Sequence, residues 1–169
     1  MTHEEIEQLM DEYSLYLLKL AYVYVKNRQS AEDIVQDIFV QLYEHSNYKE
    51  QGKIKSYLSI LVVNRSKNYL NSWTYRMLVL KETYLERSAK EKNNLILDEE
   101  KKLIGNAIFK LQVKYREVLF FHYYEELKTS EMAEVMRIPE STVKTRLVKA
   151  RKLLKDQLPQ RDWEVLSHE

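Results

Sequence analysis

Apolar residues recur at three- and four-residue intervals along most of this chain, the period of a helix rather than the two-residue alternation of a strand. Thr2-His3-Glu4-Glu5 has the form of a capping box and opens a helix carrying Ile6, Leu9, Met10 and Tyr13. A second apolar run goes from Leu15 to Val25 and stops at "KNRQ". Ser30 reads as the N-cap of a third helix to about Glu44, whose apolar face is Ala31, Ile34, Val35, Ile38, Phe39 and Leu42. The stretch "HSNYKEQGK" holds Ser, Asn and Gly together and predicts a loop, followed by a long helix from Ile54 to about Trp73. The first domain expected is therefore a four-helix unit over residues 1–75.

Residues 76–97 contain "ERSAKEKNN", which has no apolar face, and they read as a linker between domains. Helical spacing resumes through Leu103, Ile104, Ala107, Ile108 and Leu111, and "VKYREVLFFHYYE" predicts the next helix. Two short helices close the second domain, residues 98–158: "TSEMAEVM", with Thr129 as its N-cap, and "ESTVKTRLVKARKLLK". Residues 159–169 are a tail. The fold class expected is all-α, two small helical domains joined by a linker.

Composition agrees with that class and removes several functions. Two glycines, two prolines and no cysteine leave no Gly-rich phosphate loop, disulfide framework, thiol chemistry or Cys-based zinc site. His3, His45, His122 and His168 are scattered without metal-ligand spacing, and no carboxylates form a recognisable acid–base pair, so no metal, cofactor or enzymatic activity is expected. The start of the chain has no basic-and-apolar leader, and "YLLKLAYVYV" is too short to span a bilayer. A cytoplasmic protein without membrane insertion is expected.

The net charge of +1 conceals segregation: residues 1–50 carry net −6, residues 51–90 net +6 and residues 128–157 net +4. Local blocks of charge, rather than the total, point to partners. With residues spaced at ~100°, Val143, Leu147, Ala150 and Leu154 fall in a sector of about 60° that packs inward. Ser141, Lys144, Thr145, Val148, Lys149, Lys152 and Lys155 lie opposite, flanked by Arg146 and Arg151. A solvated surface helix can also be cationic. The short helix and tight break before this one add the helix-turn-helix plan, in which the second helix enters the major groove. Ser141, Lys144, Thr145 and Val148 then read bases, while Lys149, Lys152, Lys155 and the flanking arginines hold phosphates.

The helix over 31–44 has the opposite character, with Asp33, Gln36, Asp37, Val40 and Glu44 forming a strip behind its apolar face. Such a strip repels phosphate; it is either plain solubility or a docking surface for a basic protein. On the helix over 54–73, Asn64, Lys67, Asn68 and Asn71 share one polar lane. Asparagine is a poor helix former, so the lane either reads base edges or bridges neighbouring helices. Arg65 falls in the apolar stripe and is expected to pair with a carboxylate of the first helices. Tyr57 and Tyr69 lie on the core side, whereas Trp73 and Tyr75 are placed to stack on bases.

Taken in order, these segments resemble one family, the extracytoplasmic-function (ECF) sigma factors of bacterial RNA polymerase. "AEDIVQDIFVQLYEH" resembles its core-polymerase-binding signature and "SYLSILVVNRSKNYLN" the helix that opens and reads the −10 element. "LQVKYREVLFFHYYEELKTSEMAEVMRIPESTVKTRLVKARKLL" resembles its −35-reading domain. The resemblance implies that Asp33, Gln36, Asp37 and Val40 bind core RNA polymerase and that Asn64, Lys67, Asn68 and Asn71 meet −10 DNA. It implies −35 DNA contacts for Ser141, Thr142, Lys144, Thr145, Arg146, Val148, Lys149 and Lys152, and control by an anti-sigma factor. A 22-residue linker reaches at most about 70 Å, enough for the two domains to touch separated promoter elements. The sequence departs from the family pattern at Asn68 and Asn71, at Tyr57, at Arg137 where a left-handed glycine is usual, and at Pro139 where a capping serine is usual. A conventional helix-turn-helix regulator that binds duplex DNA alone is the competing reading, and it has no use for the acidic strip or the asparagine lane.

Overall fold

The computed structural model describes residues 2–45, 52–72 and 99–158, and every regular element among them is helical. The first unit holds α1 (His3–Val25), α2 (Arg28–His45) and α3 (Ile54–Leu70). The second holds α4 (Glu99–Lys110), α5 (Val113–Leu119) with a π-helical continuation over Phe120–Tyr124, the start of α6 (Thr129–Met136) and α7 (Glu140–Lys155).

Where the sequence pattern predicts two helices before residue 26, the structure has one, so the first unit shows three described helices rather than four. The joint Tyr13-Ser14-Leu15 contains neither Gly nor Pro, and nothing there interrupts the i→i−4 ladder. The Thr2–Glu5 capping box forms in both directions, Thr2 N–H to Glu5 Oε2 at 2.7 Å and Glu5 N–H to Thr2 Oγ1 at 3.2 Å. The helix ends at Lys26, whose φ of 56° puts it in the left-handed region. Asn27, not Ser30, caps α2: its Oδ1 accepts the Ser30 N–H at 2.9 Å. Ser30 Oγ is engaged across the bundle with Tyr69 Oη at 2.9 Å.

The core of this unit is made by Leu17, Leu20, Ala21 and Tyr24 of α1, Ala31, Ile34, Ile38, Phe39 and Leu42 of α2, and Leu58, Val62 and Val63 of α3. Each large side chain so buried contributes on the order of 2 kcal/mol of transfer free energy. Ser59 is buried too, and its hydroxyl is satisfied by Lys55 O and Tyr16 Oη, both at 2.8 Å. The helix α3 ends at Leu70 with Asn71 as C-cap, shorter than its pattern predicts, and Trp73 and Tyr75 lie outside the described residues. The linker 76–97 and the tail 159–169 lie outside them as well.

In the second unit every residue from Tyr115 to Leu119 is buried, including Arg116 and Glu117. Arg116 Nη1 donates to Leu111 O at 2.7 Å. The aromatic run after Leu119 widens the helix to i→i−5 bonding, as in Glu125 N–H to Phe120 O at 3.2 Å, and stacks Phe120 on Tyr124 with centroids 4.9 Å apart. Met132, Val135 and Met136 of α6 and Val143, Leu147, Ala150 and Leu154 of α7 are buried, as their spacing predicts.

Candidate nucleic-acid interface and docking surface

The turn between α6 and α7 sets how the cationic helix is presented. Arg137 has φ 54°, so the left-handed geometry is kept although its residue is not glycine. Ile138 N–H reaches Ala133 O at 3.2 Å and Arg137 N–H reaches Glu134 O at 3.4 Å, the paired bonds of a Schellman end. Pro139 opens α7 without a side-chain cap. The sequence reading of Thr129 as an N-cap is corrected: Thr129 is the first helical residue of α6, and its hydroxyl donates to Glu140 Oε1 at 2.6 Å, tying the start of α6 to the start of α7. Glu140 also pairs with Lys144 Nζ at 3.0 Å. The Thr129 hydrogen bond, and after it Lys144, holds the Glu140 carboxyl below the usual carboxylate range.

Along the outer face of α7, Ser141, Lys144, Thr145, Val148, Lys149 and Lys152 are exposed, with Val148 at 68%. Thr142 is half-buried. Thr145 Oγ1 donates to Ser141 O at 2.9 Å, so its hydroxyl proton is committed to the helix and the group faces outward as methyl and acceptor. The two flanking arginines turn inward. Arg146 Nη1 is 2.7 Å from Glu117 Oε1, the side chains 26% and 3% exposed. Arg151 Nη2 lies 2.8 Å from His122 Nε2, and its Nε donates to Tyr123 Oη at 3.0 Å. An arginine only donates, so His122 Nε2 accepts, which places the ring proton on Nδ1. Burial first, and Arg151 second, lower the His122 pKa from its ordinary 6.5. The sequence pattern missed Glu117 and Tyr123 as anchors of α7. Two adjacent charged residues, Arg116 and Glu117, inside the otherwise apolar run "YREVLFF" were the available signal.

In the first unit, Asp33, Gln36, Asp37, Val40 and Glu44 are all exposed along α2, Val40 at 54%. They are joined by Arg65 of α3, whose Nη2 is 2.7 Å from Asp37 Oδ2. Arg65 thus has the carboxylate partner its sequence predicts, but at the surface rather than in the apolar stripe. Asp37, Val40, Gln41, Glu44 and Arg65 line one shallow concavity between α2 and α3. In the lane on α3, Asn64 and Lys67 are half-buried and Asn68 and Asn71 exposed. Among the described residues no group of His, Asp and Glu is arranged to hold a metal ion, and no helix is long and apolar enough to cross a membrane.

Comparison with known proteins accounts for this arrangement. The chain matches the family Sigma-70 region 2 over residues 9–74 and the family Sigma-70, region 4 over residues 101–154. It is similar to the RNA polymerase sigma factor SigV of Bacillus subtilis (strain 168), 30% identical over 158 residues, with 85% of each chain covered. It is also similar to the ECF RNA polymerase sigma factor SigW of the same organism, 26% identical over 179 residues, covering 89% of this chain and 87% of that one. Among solved structures its fold is that of the sigma factor RpoE in complex with the anti-sigma factor NepR from Bartonella quintana. That match has a TM-score of 0.63 at 16% identity and covers 91% of this chain and 96% of the other. With both regions present in order and a relative at this identity across most of its length, the chain belongs to the ECF sigma factors of bacterial RNA polymerase, transcription-initiation factors rather than enzymes.

Proposed function

We propose that the two units divide the work of promoter recognition, with residues 1–75 as the polymerase- and −10-binding domain, 76–97 as the linker and 98–158 as the −35-binding domain. In the first domain Asp33, Gln36, Asp37 and Val40 dock on core RNA polymerase, and Asn64, Lys67, Asn68 and Asn71 face the −10 element. In the second, Ser141, Thr142, Lys144, Thr145 and Val148 meet −35 base edges, while Lys149 and Lys152 hold phosphates. Arg146 contributes to the backbone only with the guanidinium edge left over from Glu117. The polymerase supplies the chemistry; this chain supplies binding energy for the right DNA.

The observation that carries the reading is the sorting of charge onto exposed faces. The open side of α2 presents Asp33, Asp37 and Glu44, and that of α7 presents Lys144, Lys149 and Lys152. An anionic strip suits a basic protein surface and a cationic one suits phosphate. Control by an anti-sigma factor is supported by the similar fold of RpoE, solved with NepR. Action alongside polymerase places the protein in the cytoplasm. The test is promoter binding and in-vitro transcription with and without core polymerase. Transcription from specific promoters only when both are present is expected, whereas tight sequence-specific binding by the chain alone would instead identify a conventional helix-turn-helix regulator.

A further inference from the structure

Two lysines from different helices of the second unit share one aromatic ring. Lys114 Nζ, from the first turn of α5, stands 5.1 Å from the centroid of Tyr115, and Lys149 Nζ, from the middle of α7, stands 6.0 Å from it. The two ammonium groups are therefore at most about 11 Å apart, the two ring distances laid end to end. Tyr115 is only 7% exposed, so its ring is fixed in the packing, whereas both lysines are exposed. Among the described residues neither lysine forms an ion pair with a carboxylate, in contrast to Lys144 with Glu140. Like charges held near each other without a counter-charge repel, and an external anion relieves that repulsion.

We propose that Lys114 and Lys149, steadied on Tyr115, form a phosphate clamp that extends the DNA-backbone contact from α7 onto α5. The proposal rests on the reading of α7 as the −35 interface. Lys149 lies about 100° around α7 from Val148, at the margin of the open face rather than its centre. A helix set in the major groove meets base edges at its centre and phosphates at its margins. Lys114 lies beyond that margin on the neighbouring helix, where only the backbone is within reach. A lysine ammonium is a compact point charge on a flexible stem, and the buried ring limits where that stem can go.

The experiment measures binding of promoter duplex by the full chain with core polymerase between about 50 and 200 mM salt, for wild type, Lys114→Ala, Lys149→Ala and Lys152→Ala. One lost phosphate contact lowers the slope of log affinity against log salt by about 0.9, so the affinity loss over that fourfold range shrinks about 3.5-fold. Lys114→Ala is expected to do this equally on every promoter, without changing assembly with core polymerase in the absence of DNA. A neutral methylphosphonate placed singly along the −35 backbone is expected to reveal one phosphate at which Lys114→Ala has no further effect. If Lys152→Ala lowers the slope and Lys114→Ala does not, the clamp is overturned while the DNA reading stands. If none of the three changes the slope, the −35 reading of α7 falls and the clamp with it. Impaired assembly with core polymerase would place Lys114 on the enzyme instead, which also overturns the clamp.

Discussion

Arg65 of α3 holds Asp37 of α2 at 2.7 Å, joining the helix that carries the asparagine lane to the strip proposed to dock on polymerase. The side chains are 49% and 58% exposed, so the pair contributes at most about 1 kcal/mol to stability. Asp37→Lys should therefore leave helicity and thermal midpoint nearly unchanged while abolishing co-purification with core polymerase. Arg65→Ala should also leave stability nearly unchanged. A variant Asp37→Lys that still co-purifies at wild-type yield would remove Asp37 from the docking surface.

Val148 sits between Ser141 and Lys152 at the middle of the open face of α7 and is 68% exposed. An apolar side chain there is suited to the thymine methyl group, which only the major groove displays. Replacing single −35 thymines by deoxyuridine should weaken holoenzyme binding at one position by about fourfold, the worth of one buried methyl at about 0.8 kcal/mol. Val148→Ala should erase that difference. Equal binding of thymine and uracil at every −35 position would show that Val148 reads no methyl. Lys144→Ala should also alter promoter choice, whereas Lys152→Ala should weaken all promoters alike.

The apolar stripes were legible because burial of a helix face leaves a periodic record. Ala31, Ile34, Ile38 and Leu42 are buried, as are Val143, Leu147, Ala150 and Leu154. Exposed polar faces were legible for the same reason, since Asp33 and Lys149 lie opposite those stripes. What periodicity does not encode is the partner of a polar group. Arg146 and Arg151 flank the buried sector of α7 with geometry that suits phosphate or protein equally, and only the packing of α5 and its π-helical end against α7 puts Glu117, His122 and Tyr123 beside them. Helix ends were similarly under-determined. Thr129 and Ser30 have the chemistry of caps, but Thr129 bonds Glu140 and Ser30 bonds Tyr69, residues distant in sequence.

Glu117 is nearly sealed from solvent, and Arg146 is a cation beside it, 2.7 Å from its Oε1. Removing one member of a buried pair exposes the desolvation cost of the other, so Arg146→Ala should destabilise the second unit by about 3 kcal/mol. The effect should appear in thermal unfolding of the chain without DNA. Reduced −35 affinity with an unchanged thermal midpoint would instead make Arg146 chiefly a phosphate ligand.

Arg137 adopts φ 54° at the end of α6, a conformation in which a Cβ is crowded and glycine is not. Both Schellman hydrogen bonds come from the backbone and survive substitution. Arg137→Gly should therefore stabilise the protein by about 1 kcal/mol, offset in part by the freer unfolded chain. Equilibrium urea unfolding of the two proteins measures this directly. A less stable glycine variant would mean that the Arg137 side chain makes a favourable contribution larger than the backbone strain.

His122 accepts from Arg151 only while its ring is neutral, and burial together with the Arg151 charge lowers its pKa from 6.5. Because the folded-state pKa is lower than the unfolded one, the unfolded chain binds the proton more readily and stability rises with pH. The His122 contribution is fully present above about pH 6.5, is lost as pH falls from there through the depressed folded value, and levels off below it. Thermal midpoints measured from about pH 7.5 down to 5 should therefore fall more steeply for wild type than for His122→Gln, whose amide oxygen can still accept from Arg151 without titrating. The same slope in both proteins would mean that acid sensitivity in this range comes from other groups. A steeper slope in His122→Gln would reverse the sign assigned to the His122–Arg151 contact.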